Sequence, residues 1–236
     1  MKAVVLAGGK GARLAPYTRV FPKPMMPIGD KAILEILLEQ MRRAGVDEVT
    51  LTVGHLAGLM RAFFQDGAHL GLKIRYSYET HPLGTAGPLA LIEGLDETFL
   101  VTNGDVLTTL DLADLIRFHK ANGGLATIAA HHRQVKIDLG VLETNGDHSL
   151  TGYVEKPTLS YQVSMGLYVF EPEVLRYIPA GDYLDFPDLV KILLADGRRV
   201  VAYPFDGYWQ DLGRPDDYEQ AAQDFETMRA QFLPED

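Results

Sequence analysis

Short apolar runs alternate with stretches of helical periodicity along the first half of the chain, and that alternation admits few folds. KAVVLA (2–7) is continuously apolar, as a strand buried on both faces is. Residues 31–44 put Ile33, Leu34, Leu37, Leu38 and Met41 at helical spacing, with Gly45 as a stop. The same reading predicts strands over 48–53 and 72–78, a helix over 56–65, a short helix from Gly84 to Glu93 and a strand over 99–105. Asp111 caps a helix over 112–121, and a strand follows at 126–131. Beyond about residue 133 the pattern turns β-rich, with extended pieces at 139–143, 150–154, 163–170 and 199–205. Helices are expected at 172–178 and 186–195 and from Pro215 towards Phe232. With no repeat or linker, the expected fold is α/β: a Rossmann-like mixed, mainly parallel sheet with helices on both faces. It forms one domain over 1–236, with a doubly wound half (1–132) and a β-richer half with the terminal helix (133–236) that closes over the cleft.

Composition removes several chemistries. The chain has no cysteine, which excludes disulfides, thiolate metal sites and cysteine nucleophiles. No segment reads as a membrane span and none as a leader, so a cytoplasmic protein is expected. A net charge of −10 argues against a nucleic-acid surface. Residues 1–29 nevertheless hold Lys2, Lys10, Arg13, Arg19 and Lys23 without one acid, which suits a local site for a small anion.

That site begins in the turn after the first strand, Leu6-Ala7-Gly8-Gly9-Lys10-Gly11-Ala12-Arg13-Leu14. Glycines let the backbone turn tightly and bring N–H groups against phosphate oxygens. Two common phosphate motifs fail here. No Gly-Lys-Ser/Thr is present for a P-loop, and Leu14 takes the third glycine position of a dinucleotide fingerprint. Pro16, Pro22 and Pro24 also spoil the helix that a dinucleotide fold needs, which disfavours an NAD-dependent oxidoreductase. Phe21-Pro22-Lys23-Pro24 instead fixes a lysine between two prolines and pre-orients it.

With GGKGARL and Phe-Pro-Lys-Pro in place, the sequence resembles the sugar-nucleotide pyrophosphorylases, or sugar-1-phosphate nucleotidyltransferases, and mannose-1-phosphate guanylyltransferases in particular. The resemblance continues through Pro82-Leu83-Gly84-Thr85-Ala86-Gly87, Asn103-Gly104-Asp105, Val154-Glu155-Lys156-Pro157 and Trp209-Gln210-Asp211-Leu212-Gly213. It implies transfer of a nucleotidyl group to a sugar 1-phosphate, with release of pyrophosphate. Arg13 would bind the β- and γ-phosphates and Lys23 the α-phosphate. Leu6, Ala7, Gly8, Gly9, Gly11, Glu79, Pro82, Gly84, Thr85, Asn103 and Gly104 would meet the nucleotide. Asp105 and Asp211 would share one Mg²⁺. Gly140, Glu155, Lys156, Ser164, Gly166 and Trp209 would face the sugar phosphate. The chain is expected to lack the left-handed β-helix extension that many members carry, and to pair with a second copy as a homodimer.

Two positions bear on specificity. Relatives usually read Asn-Ala-Gly where this chain has Ser164-Met165-Gly166, which leaves the sugar open. Glu79 lies where thymidylyl and some uridylyl relatives carry glutamine. A carboxylate only accepts hydrogen bonds, which suits guanine's N–H donors or the cytosine amino group, so GTP is the expected donor. CTP or UTP with a glucose, heptose or amino-sugar phosphate is the alternative. A non-catalytic nucleotide-sugar-binding subunit is the rival of another class. The seven histidines show no helical metal-pair spacing and read as structural or exposed.

Overall fold

The computed structural model describes residues 1–234. Chain order is β1 (Lys2–Leu6), β2 (Pro27–Ile28), β3 (Lys31–Ala32), α1 (Ile33–Arg43), β4 (Glu48–Val53), α2 (Ala57–Phe64), β5 (Lys73–Tyr78), β6 (Phe99–Asn103), β7 (Val106–Thr108) and α3 (Leu112–Asn122). Then come β8 (Ala126–Lys136), β9 (Val141–Thr144), β10 (Leu150–Val154), β11 (Thr158–Phe170), α4 (Phe186–Ala195), β12 (Val200–Phe205), β13 (Trp209–Asp211) and α5 (Pro215–Phe232).

Seven strands form one sheet in the order β12-β8-β11-β6-β1-β4-β5. Only β11 runs against its neighbours, β6 and β8; the other pairings are parallel. The expected Rossmann-like, mainly parallel α/β sheet is therefore the observed one. β1 sits inside it, and its alternating side chains serve both faces. Ala3 and Val5 pack with α1, α2 and α3 residues such as Leu37, Phe64 and Leu115. Val4 packs the other way, with Phe186, Leu189 and Leu193 of α4. A third cluster docks α5, through Phe225 and Phe232, on Ile28, Ile33 and Ile36. Among the described residues no helix is long and apolar enough to cross a membrane.

Two parts of this arrangement position the site. β1, β4 and β6 end together, so their C-terminal loops share one edge. β11 also changes partners along its length. Leu167–Phe170 pair with β6, whereas residues 158–164 pair with β8 alone, and the register shifts between Ser164 and Tyr168. The outer halves of β8 and β11 thus form a two-stranded arm past the end of β6.

Several boundaries differ from the sequence reading. No α-helix forms between Gly84 and Glu93; only a 3-10 turn at Gly87–Leu91 does. The segment around it is tied to a distant loop, because Ala86 and Gly87 N–H both donate to Leu184 O, and Pro88 has no donor for a helix. The strand expected over 99–105 stops at Asn103, and Gly104 N–H makes the last bond of its parallel ladder with β1, to Leu6 O at 3.0 Å. Strand β8 runs to Lys136 instead of ending near 131, and β11 starts at Thr158 instead of 163. The helix at 172–178 is a 3-10 turn, Pro172–Tyr177. The cap at Asp111 is present, its carboxylate accepting from Ala113 N–H at 2.9 Å.

Candidate active site

A cleft of about 300 Å³ opens at the C-terminal end of β1. Leu6, Ala7, Gly9, Gly11, Arg13, Lys23 and Asp105 line it, together with Ala12, Pro24 and Gly213. Its floor is built by the strand ends and its rim by the glycine-rich turn. Gly11 adopts φ +59°, and an added Cβ there would stand 2.9 Å from Thr18 Cγ2 and 3.2 Å from Lys23 Cβ. Thr18 Oγ1 donates to Gly11 O at 2.7 Å, which closes the turn onto the segment carrying Lys23.

Lys23 is 9% exposed, unusual burial for a lysine. It heads a 3-10 turn, Lys23–Met25, entered through Pro22 and continued by Pro24. Its ammonium donates to Asp105 Oδ2 and lies 3.9 Å from Asp211 Oδ1. The two aspartates meet through a ladder between segments 100 residues apart. β13 pairs antiparallel with β7 and sets Asp211 opposite Val106, while Leu212 N–H donates to Asp105 O at 3.1 Å. Loss of hydration raises the Asp211 carboxyl above the ordinary aspartate value. The charge of Asp105 adds to that, while Lys23 and Arg13 oppose it. Two carboxylates that crowd each other around one ammonium form a hard-oxygen donor set fit for a divalent cation. Among the described residues no third His, Cys, Asp or Glu joins them, so water and phosphate oxygens would complete such a shell.

Arg13 projects to the same place. A Cβ on Gly213 would stand 3.0 Å from Arg13 Nη2 and 3.2 Å from Asp211 Oδ2, so the bare glycine leaves the guanidinium and the carboxylate side by side. In the sequence Gly213 stands out only as the end of the motif Trp209-Gln210-Asp211-Leu212-Gly213. The signal for its role was its place two residues after an aspartate.

Glu79 follows β5 and leans over Gly8, where an added Cβ would fall 2.9 Å from Glu79 Oε1. Its other oxygen accepts from Leu83 N–H at 3.2 Å, next to Pro82. Burial raises the Glu79 carboxyl above its usual value, with the Leu83 bond working against that. Gly104 closes on Leu6 O, and Gly166, at φ +75°, stacks on the Asn103 amide, where a Cβ would meet Nδ2 at 2.6 Å.

The remaining positions are not among the residues that line this cleft. Gly84, at φ +78°, packs its Cα on Leu184 O. Thr85 donates both its N–H (2.9 Å) and its hydroxyl (3.1 Å) to Asp185 Oδ1, so its donors serve the fold of that turn. Gly140 lies against the Tyr153 hydroxyl and 3.1 Å, at a built Cβ, from Glu155 Oε2, which itself accepts from Tyr153 at 2.8 Å. Lys156 takes φ +46° at the end of that hairpin. Among the described residues no hydrogen bond or ion pair links Glu155 or Lys156 to Lys23, Asp105 or Asp211. Ser164 Oγ accepts from Gly166 N–H at 3.3 Å and bonds the Tyr168 hydroxyl at 3.2 Å. Trp209 Nε1 donates to Met165 O at 3.0 Å and stands 5.6 Å, ring to ring, from His131.

The chain resembles known proteins over most of its length. The family model described as nucleotidyl transferase matches residues 2–228. The UTP–glucose-1-phosphate uridylyltransferase of Synechocystis sp. is 38% identical over 94% of this chain and 62% of its own length. The mannose-1-phosphate guanylyltransferase of Mycobacterium tuberculosis is 37% identical over 94% of this chain and 64% of its own. The chain thus spans a little over three-fifths of these curated relatives. The crystal structure of HddC from Yersinia pseudotuberculosis complexed with GMP-PN superposes with a TM-score of 0.71 at 26% identity, covering 95% of this chain and 99% of that one. The chain belongs to the nucleotidyl transferase family, in the group of sugar-1-phosphate nucleotidyltransferases.

Proposed function

We propose that this chain transfers a nucleotidyl group from a nucleoside triphosphate, GTP by preference, to a sugar 1-phosphate, mannose 1-phosphate or a relative of it, releasing pyrophosphate. The observation that carries the reading is the convergence of Arg13, Lys23, Asp105 and Asp211, from four separate segments, on one cleft. A silent binding subunit has no need of that set.

Displacement at phosphorus asks for alignment and charge neutralisation more than for acid–base chemistry. Lys23 gives one of its three donors to Asp105 and turns the others to the α-phosphate oxygens. Its proline neighbours and its burial hold it there before substrate arrives. Arg13 offers a planar fork to the β- and γ-phosphates and to the pyrophosphate as it leaves. Asp105 and Asp211 would hold Mg²⁺, which when bound neutralises phosphate charge and fixes the orientation of the phosphate oxygens. Leu6, Ala7, Gly8, Gly9, Gly11, Asn103 and Gly104 bring backbone close to the nucleotide, beside Pro82, Gly84 and Thr85. Gly140, Glu155, Lys156, Ser164, Gly166 and Trp209 take the sugar phosphate.

The base preference rests on Glu79. Its Oε1 faces Gly8 with no donor among the described residues, and a carboxylate there would accept from guanine N1–H and N2–H₂. The names of the M. tuberculosis guanylyltransferase and the GMP-PN complex of HddC support it. The Synechocystis relative favours a second reading, UTP with glucose 1-phosphate. Pyrophosphate release from purified protein, Mg²⁺, each common nucleoside triphosphate and a set of sugar 1-phosphates separates the two. GTP with mannose 1-phosphate is expected to lead. Dominance by UTP selects the second reading, and no release from any pair sinks the transferase reading.

A further inference from the structure

A second cavity, about 510 Å³, continues the cleft past Asp211. Arg13 belongs to both, and the new wall is supplied by Arg133 of β8 and by Arg214, the residue before α5. Its base is rigid. Trp209 is tied to Met165 O, and His131, packed on the Trp209 ring, is tied through Nδ1 to Phe205 O at 2.9 Å. A carbonyl only accepts, so His131 Nδ1 carries the proton in that bond.

The three guanidiniums are the unexpected part. Acids outnumber bases, 32 to 22, and Arg75, Arg117 and Arg229 each close onto a carboxylate. Arg133 and Arg214 make no hydrogen bond or ion pair among the described residues. The two carboxylates in the cavity form no ion pair with Arg133 or Arg214 among the described residues. Asp217 is held by Gln210 Nε2 at 2.8 Å, and Asp211 faces Lys23, Asp105 and Arg13. Arg133 stands opposite Tyr161 in the β8–β11 ladder, on the exposed arm, where a long side chain can close on a ligand.

We propose that Arg133 and Arg214, with Arg13, form a phosphate subsite next to the reaction centre, for a phosphoryl group beyond the one that is attacked. Three forked donors against one small, multiply charged anion suit phosphate chemistry better than a neutral sugar ring. Two sources share that chemistry: the terminal phosphates leaving as pyrophosphate, and the phosphate of the incoming sugar. Which source is meant rests on the proposed transferase reading; that a phosphate binds here does not.

The test is calorimetric titration of pyrophosphate, and separately of mannose 1-phosphate and glucose 1-phosphate, into metal-free protein. Wild type is compared with the R133Q/R214Q double variant and with R133K/R214K. Circular dichroism and thermal unfolding show that each variant is folded. The glutamine variant is expected to bind at least one of these ligands about tenfold or more weakly, with partial recovery in the lysine variant. Loss for pyrophosphate assigns the subsite to the leaving group, and loss for a sugar phosphate assigns it to the acceptor. Unchanged binding of all three by the glutamine variant, or no binding of any to wild type, overturns the proposal. A protein that binds pyrophosphate through these arginines yet transfers no nucleotide would overturn the proposed function and leave the subsite standing.

Discussion

The two sides of the cleft are built by opposite means. On the side of the glycine-rich segment the turn springs from β1, whose Val4 and Val5 are fully buried, and the polar groups are locked to one another. Gly8 lies under Glu79, Gly11 under Thr18, and Lys23 between two aspartates. On the other side, residues 132–136 of β8 and 158–162 of β11 are exposed, and each strand has the other as its only ladder partner there. The β9–β10 hairpin that carries Glu155 belongs to no larger sheet. One side is fixed by the core, where side chains have single arrangements. The other is fixed by little more than its own ladder, which leaves it free to follow the shape of what it holds. Substitutions on the first side should therefore strike turnover, and on the second the affinity for one substrate.

Arg13→Ala is the strongest test of that division. The guanidinium stands over Gly213 beside Asp211, where, on the proposed function, charge would gather as pyrophosphate leaves. Its loss should lower kcat about 10²-fold or more while circular dichroism stays unchanged. Retention of full turnover would remove Arg13 from the chemistry and leave the rigid side without its proposed purpose.

The same division decides what the sequence makes legible. β1, α1 and the parallel strands announce themselves by periodicity, because each is buried against the core. The phosphate turn is legible too, since glycines and a lysine between prolines state a backbone requirement locally. The Asp105–Asp211 pair depends on a ladder of three-residue strands, β7 and β13, joined across 100 residues. A three-residue strand has no period to read, and only family resemblance brings the two carboxylates together in advance. The arm escapes for a different reason. With both faces wet, residues 132–136 lack an apolar alternation and read as a loop. Arg214 carries no local signal, and Gly213 carries only its place two residues after Asp211; their meaning comes from what Arg13 and Asp211 place beside them.

Glu79→Gln probes the rigid side at lower amplitude. The amide keeps an oxygen for Leu83 N–H and loses the charge. Discrimination between GTP and UTP, as a ratio of kcat/KM, should fall roughly tenfold, the worth of a charge-assisted hydrogen bond. Stability should move the other way. Burial raises the Glu79 carboxyl in the folded state, so folding disfavours the ionised form. The stability withheld at high pH is recovered as pH falls through the raised value. The variant should thus unfold at an equal or higher temperature than wild type at pH 8, and the difference should shrink towards pH 4. An unchanged base preference would detach Glu79 from the nucleotide.

Gly140→Ala should have the smallest effect, and it is the sharpest probe of the exposed side. The added methyl meets the Tyr153 hydroxyl and comes to 3.1 Å from Glu155 Oε2. Tyr153 is 59% exposed, so its ring can swing into solvent and the backbone need not move. What changes is the Tyr153–Glu155 hydrogen bond, which holds the carboxylate at 2.8 Å. The KM for the sugar phosphate should therefore rise several-fold, up to roughly tenfold. The KM for the nucleotide and the unfolding temperature should hold, because among the described residues no hydrogen bond or ion pair ties Glu155 or Lys156 to Lys23 or the aspartates. An equal rise in both KM values would mean that the arm and the phosphate turn move as one body. That result would break the comparison, since the hairpin would then be coupled to the core side through closure of the cleft and not merely seated above it.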